Sequence, residues 1–203
     1  MTKLHFHTAE FIQGQFTMKK LNLLLMFQVN CPGCFLYALP LFNKLYEQYS
    51  DNIAFVALST AFEDYEYNNT RNTQLLLSKG TLVGETKKAL ESRDIHQLPY
   101  PIDFPVAMDA KMEAADQETV VAHICNSDLN FASLSEVNQL SVKNRVRDYL
   151  NKQEAVSMTF TSNQFRGTPT IVLFDDDLTI IDSWFGHVPE EFIVKKIENW
   201  SKL

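Results

Sequence analysis

Cys31-Pro32-Gly33-Cys34 carries the chemistry most legible in this chain. Two thiols separated by two residues can close a short disulfide or share a metal ion. The pair follows the apolar run Leu21 to Val29 directly and opens a segment patterned as a helix. A helix start lowers the pKa of the first thiol, because unpaired N–H groups and the helix dipole favour a thiolate there. Zinc sites use the same spacing but need about four ligands. No second CxxC exists to complete such a set, so a redox pair is the stronger reading and a structural zinc half-site or two inert thiols the weaker one. Cys125, in Ala122-His123-Ile124-Cys125, reads as a small buried hydrophobe. Its sharper alternative is a second resolving thiol or a ligand beside His123.

The elements that must position the pair follow from periodicity. Leu21 to Val29 is a near-continuous apolar run, as expected for a central strand buried on both faces. Pro32 suits a first helical turn, where a missing N–H costs nothing. Phe35, Leu36, Leu39, Phe42, Leu45, Tyr46 and Tyr49 then form a helical stripe, with Pro40 expected to kink it. Ile53 to Leu58 is the next strand, which makes a βαβ unit with parallel strands. Residues 4–16 read as an extended arm or hairpin turning at Gly14. Helical content is expected around Thr73–Leu77 and Glu85–Leu90, an extended loop over Leu98–Pro105, and a short edge strand at Val106–Met108 ending at Asp109.

From Lys111 to Phe160 the pattern turns helical. Ser133-Leu134-Ser135-Glu136 offers a capping box, and Val137, Leu140, Val146, Tyr149 and Leu150 are expected on a buried face. Ile171 to Phe174, the turn Asp175-Asp176-Asp177 and Leu178 to Phe185 form a hairpin. A last helix starts at Pro189, with Glu190 and Glu191 in its first turn and Ile193, Ile197 and Trp200 on one face.

Composition narrows the class. With 203 residues, 45% of them hydrophobic, the chain supports one domain over 1–203 with an insertion. A net charge of −7 argues against a nucleic-acid partner. No window reaches transmembrane length. Met18-Lys19-Lys20 and the apolar run after it imitate a signal peptide, but the segment lacks a small-residue cleavage site and reads as a strand. Three cysteines with one local pair suit a reducing compartment, and a cytoplasmic location is expected. The terminal Ser201-Lys202-Leu203 would be a peroxisomal address only in a eukaryote.

The order βαβ, insertion, β-hairpin, α resembles that of thioredoxin-like redoxins of the TlpA and AhpC/TSA-related group. The matching pieces are Phe27-Gln28-Val29-Asn30-Cys31-Pro32-Gly33-Cys34, Phe104-Pro105-Val106-Ala107-Met108-Asp109, Phe165-Arg166-Gly167-Thr168-Pro169-Thr170 and Gly186. They cover roughly two-thirds of the chain, leaving about 113–160 as a helical insertion before the strand that follows Thr168-Pro169. The resemblance implies an α/β thioredoxin-like fold, a central mixed sheet flanked by helices. It implies Cys31 as the attacking thiol, Cys34 as the resolving thiol, and a cis Pro169 facing the pair with Thr168 free to receive an extended substrate segment. It implies no metal and no cofactor. Its partners would be a protein or small-molecule disulfide and a thiol reductant or oxidant.

Three residues depart from that pattern. Asn30 stands where thioredoxins usually carry Trp, Leu25 where they bury an Asp, and Tyr37 where some TlpA-like reductases place a Glu. The proton carrier for Cys34 is then unassigned, with Glu63 and Asp64 as candidates by their place after the second strand. Two other functions compete with thiol–disulfide exchange. A thiol peroxidase of the AhpC/TSA type would need Thr or Ser three residues before the reactive Cys, where this chain has Gln28. A binding module would use the insertion and leave the CxxC vestigial.

Overall fold

The computed structural model describes residues 2–200; Met1 and the Ser201-Lys202-Leu203 tripeptide lie outside the described residues. Among the described residues, six strands form one mixed sheet in the order β1-β4-β3-β2-β5-β6. β2 (Leu21–Phe27), β3 (Ala54–Ser59) and β4 (Val106–Asp109) run parallel, while β5 (Thr170–Asp175) and β6 (Ile180–Phe185) run antiparallel beyond β2. Every residue of β2 is buried, as its unbroken apolar run requires. The period-two pleat divides it between two cores. Leu21, Leu23, Leu25 and Phe27 join one cluster; Leu24 and Met26 join the other.

The first core is closed by α1 (Leu39–Tyr49), α2 (Thr70–Lys79), α3 (Gly84–Glu91) and α7 (Glu190–Trp200). Those helices contribute Leu39, Phe42, Leu45, Leu76, Leu90, Ile193 and Ile197. Phe42 meets Phe104 edge-on at 4.7 Å and Phe55 at 5.3 Å, an arrangement the ring quadrupoles favour. Between β4 and β5 lie α4 (Gln117–Asn126), α5 (Glu136–Asn151) and α6 (Met158–Ser162). They enclose a separate cluster of Val120, Val121, Cys125, Phe131, Leu150, Val156 and Met158. Among the described residues no helix is long and apolar enough to cross a membrane.

Three local expectations are corrected. Val106–Asp109 is not an edge strand, because β1 (Thr8–Gln13) pairs antiparallel on its outer side. Of the two readings of the N-terminal arm, the extended one holds, and its start is tied down: His5 and His7 exchange backbone hydrogen bonds with the side chains of Asn163 and Thr159. The irregularity tied to Pro40 lies before it. Cys34–Ala38 is a π turn in which Leu39 N–H donates to the Cys34 carbonyl, and α1 begins just beyond with Pro40 in its first turn. On α5, Ser135 caps the helix through Asn138 N–H, while Val137, Leu140 and Tyr149 are exposed. The face that packs is Val142, Val146 and Leu150, at i, i+4 and i+8, because α4 covers only one side of α5.

Candidate redox site

The chain leaves β2 at Phe27 and reaches Cys31 at the carboxyl end of the parallel strands, where ligands meet open α/β sheets. Cys31 is half-buried and Cys34 fully buried; both are free thiols. The Cys34 backbone N–H donates to the Cys31 sulfur at 3.2 Å and to the Cys31 carbonyl at 2.9 Å. Across the sheet, the Thr168-Pro169 peptide is cis, and the Pro169 ring lies over Gly33. The Cys31 thiol donates to the Thr168 carbonyl at 3.5 Å. Sequence-distant pieces therefore meet: the CxxC and Thr168-Pro169 share one surface.

The two thiols are driven apart in acidity. Cys31 is held down to about 7, first by its hydrogen bond with the Cys34 side chain. Burial pushes the other way, and the Thr168 side chain with the Cys34 and Gly33 backbones adds to the lowering. Cys34 is pushed well up, first by burial and then by Cys31 beside it. A half-buried sulfur that ionises near neutrality, backed by a fully buried one that keeps its proton, is the asymmetry a two-step exchange needs.

Glu63 and Asp64 do not occupy the place proposed for them. The polar groups acting most on Cys34 are Cys31, the Gln28 backbone and Thr168. Asp64 instead accepts a hydrogen bond from Asn30 Nδ2 at 2.8 Å. Asn30 explains itself here as a tether. Its Oδ1 accepts from Glu85 N–H at 2.6 Å, supplying the cap that α3 lacks from its own Val83, and its N–H donates to Asn68. Gly84 must be glycine for this contact: its φ is +50°, and a Cβ would stand 2.1 Å from Asn30 Oδ1. Asn30→Ala is expected to cost about 1–2 kcal/mol in urea unfolding, since Glu85 N–H loses its acceptor. A loss below a few tenths would show the tether to be idle.

Tyr37 is exposed and stacks on His187 at 4.5 Å, forming an aromatic shelf beside Gly186. Leu25 is buried in the first core and offers the thiols no carboxyl. Cys125 is buried in the cluster of the three helices, apart from the core that holds Cys34. The His123 and His5 rings meet at a 31° tilt, with centroids 3.2 Å apart. Among the described residues, no group of three or more His, Cys, Asp or Glu side chains is arranged to hold a metal ion. Sequence reasoning missed Tyr100, and it weighed Gln28 only as the place where a peroxidase hydroxyl is absent. Tyr100 donates to the Phe35 carbonyl at 2.5 Å, and its phenol is pushed up by burial and then by Cys34. Gln28 is 2% exposed and accepts from the Thr168 hydroxyl at 2.9 Å.

The sheet order and the cis proline facing a helix-opening CxxC define a thioredoxin-like fold. Solved structures agree. A thiol-disulfide isomerase from Corynebacterium glutamicum superposes with a TM-score of 0.58 at 17% identity, over 98% of this chain and 94% of its own. A thioredoxin-like superfamily protein gives 0.58 at 18%, over 98% and 96%. At such identities the likeness is one of fold. No protein-family model matches the chain, and no curated protein matches it in sequence.

Proposed function

We propose that the chain is a thiol–disulfide oxidoreductase of the TlpA and AhpC/TSA-related redoxins, working through Cys31 and Cys34. The observation that carries this reading is the half-buried Cys31 sulfur, held between the Cys34 N–H and the Thr168 carbonyl, with Cys34 buried behind it. The Cys31 thiolate attacks one sulfur of a substrate disulfide. That S–S bond breaks, a Cys31–substrate disulfide forms, and the departing thiolate takes up a proton. Cys34 then gives up its proton and attacks the Cys31 sulfur. The second substrate thiolate leaves and is protonated, and a Cys31–Cys34 disulfide remains. The substrate has gained two electrons and two protons, which a thiol reductant must resupply. Reversed, the same steps oxidise a dithiol.

A protein disulfide is the substrate class this surface favours. Cys31 is half-buried on the surface it shares with Thr168-Pro169, while a cavity of about 580 Å³ elsewhere, lined by Phe62, Val146, Tyr149 and Phe160, contains neither cysteine. One local thiol pair and a buried third cysteine suit a reducing compartment such as the cytoplasm. The test is Cys34→Ser. Without the resolving thiol, the mixed disulfide on Cys31 persists and is captured on non-reducing gels, where its partner is identified. A variant that accumulates no covalent adduct, alongside a wild-type protein that turns over no disulfide, would sink the proposal.

A further inference from the structure

Among the described residues, Gln28 leaves a buried polar atom beside the thiol pair without a partner. Its Oε1 accepts from the Thr168 hydroxyl at 2.9 Å, but its Nε2 has no hydrogen-bond partner among the described residues although the residue is 2% exposed. Buried amide donors are almost always paired, so an orphan of this kind calls for a reason. Gln28 is also bound into the redox site on its other side, because its backbone is hydrogen-bonded to Cys34. The Thr168 side chain is within hydrogen-bonding reach of both sulfurs. The hydroxyl proton goes to Gln28 Oε1, with the two sulfurs as neighbouring acceptors it could turn to.

In the arrangement seen, that proton goes to Gln28, which suits an uncharged pair. The Cys31 thiol supplies its own proton to the Thr168 carbonyl at 3.5 Å. Ionisation removes this proton and leaves a thiolate facing a carbonyl oxygen. The Cys34 thiol and backbone N–H already meet that sulfur, and the Thr168 hydroxyl is the further side-chain donor that can turn toward it. It can do so only by abandoning Gln28 Oε1. Rotating the Gln28 amide about its last bond exchanges its oxygen and nitrogen. Nε2 then donates to Thr168 Oγ1, the hydroxyl proton points to sulfur, and the orphaned donor is used. Donors aligned in series onto an anion strengthen one another.

We propose that Gln28 is a positioning residue whose side-chain amide turns over with the charge on Cys31, donating through the Thr168 hydroxyl to the thiolate. The inference deepens the oxidoreductase reading and draws its purpose from it: the relay readies Cys31 for attack. The titratable groups facing the pair are the two thiols themselves and Tyr100, which burial keeps protonated.

The experiment follows the Cys31 thiolate by ultraviolet absorbance across pH, in wild type, Gln28→Leu, Thr168→Val and the double variant. Gln28→Leu is expected to raise the midpoint by about one unit, a tenfold loss of thiolate at a given pH below it. In the Thr168→Val background the same change should do nothing further. No shift in either background, or an equal shift in both, overturns the relay. Should Gln28→Leu fail to fold, the wild-type protein still decides the matter by NMR. The Gln28 side-chain amide resonance should move with the Cys31 midpoint, and an amide that ignores the titration refutes the proposal. None of these readouts needs turnover. A wild-type protein that couples in this way yet exchanges no disulfide would overturn the oxidoreductase reading while leaving the relay standing. An active protein with an indifferent amide would do the opposite.

Discussion

Cys31→Ser is expected to reduce disulfide exchange to the uncatalysed rate, a loss on the order of a thousandfold or more. A serine hydroxyl does not ionise near neutrality, whereas Cys31 does so at about 7 because the Cys34 side chain, Thr168 and two backbone N–H groups meet its sulfur. The thiolate is the nucleophile, so the sign of the pH dependence is fixed: reactivity falls as pH drops through about 7. Alkylation of the reduced protein by iodoacetamide, followed across pH, should therefore show a midpoint near 7 and modify Cys31 first, since Cys34 is fully buried. A midpoint near 9, the ordinary thiol value, would mean that the contacts around Cys31 do not act on its charge. The same shift enters stability. An acid whose folded-state pKa is depressed stabilises the fold above its unfolded value of about 9, and that contribution is lost as pH falls through about 7. Cys34, raised by burial, works in the opposite sense.

What could be read from the sequence was what chain-local physics determines. The central strands are legible because a strand covered on both faces leaves an unbroken apolar run, and Leu21–Phe27 has one. The CxxC is legible because its chemistry depends on a spacing of two residues and a helix start. The rest depends on encounters between distant segments. Asn30 looks like a plain departure until Glu85, 55 residues on, is seen to donate to it. Gln28 gains meaning only when Thr168 arrives 140 residues later. The exposed face of α5 illustrates the converse. Val137 and Leu140 obey a helical period, but periodicity states which residues share a face and not whether a partner covers it. Likewise, β4 becomes an inner strand only through β1, which precedes it by almost a hundred residues and has an irregular register.

Asp109→Ala is expected to cost about 2–4 kcal/mol, the largest stability loss among the polar substitutions considered, since each buried donor left unpaired costs roughly 1–3 kcal/mol. Asp109 ends β4, is 4% exposed, and gathers three donors: Thr159 N–H at 2.8 Å, Phe160 N–H at 3.0 Å and the Thr60 hydroxyl at 3.0 Å. It thereby caps α6 from a strand fifty residues earlier. Alanine would strand all three donors in the interior, whereas asparagine keeps one acceptor and should lose less. The carboxyl is pushed up to about 6, chiefly by burial, with the N–H groups of Thr159 and Phe160 pulling it partly back. For an acid raised on folding, the contribution to stability is present in full below the unfolded value of 3.8 and is lost as pH rises through about 6. Urea unfolding between these limits should therefore show the wild type losing ground to Asp109→Asn as pH rises, and parallel curves would contradict the assignment. Because α6 hands the chain to the segment ending at Thr168, the alanine variant should also speed amide exchange from Met158 through Thr170. Faster exchange confined to the first turn of α6 would mean that Asp109 holds that helix alone and leaves the surface facing Cys31 in place.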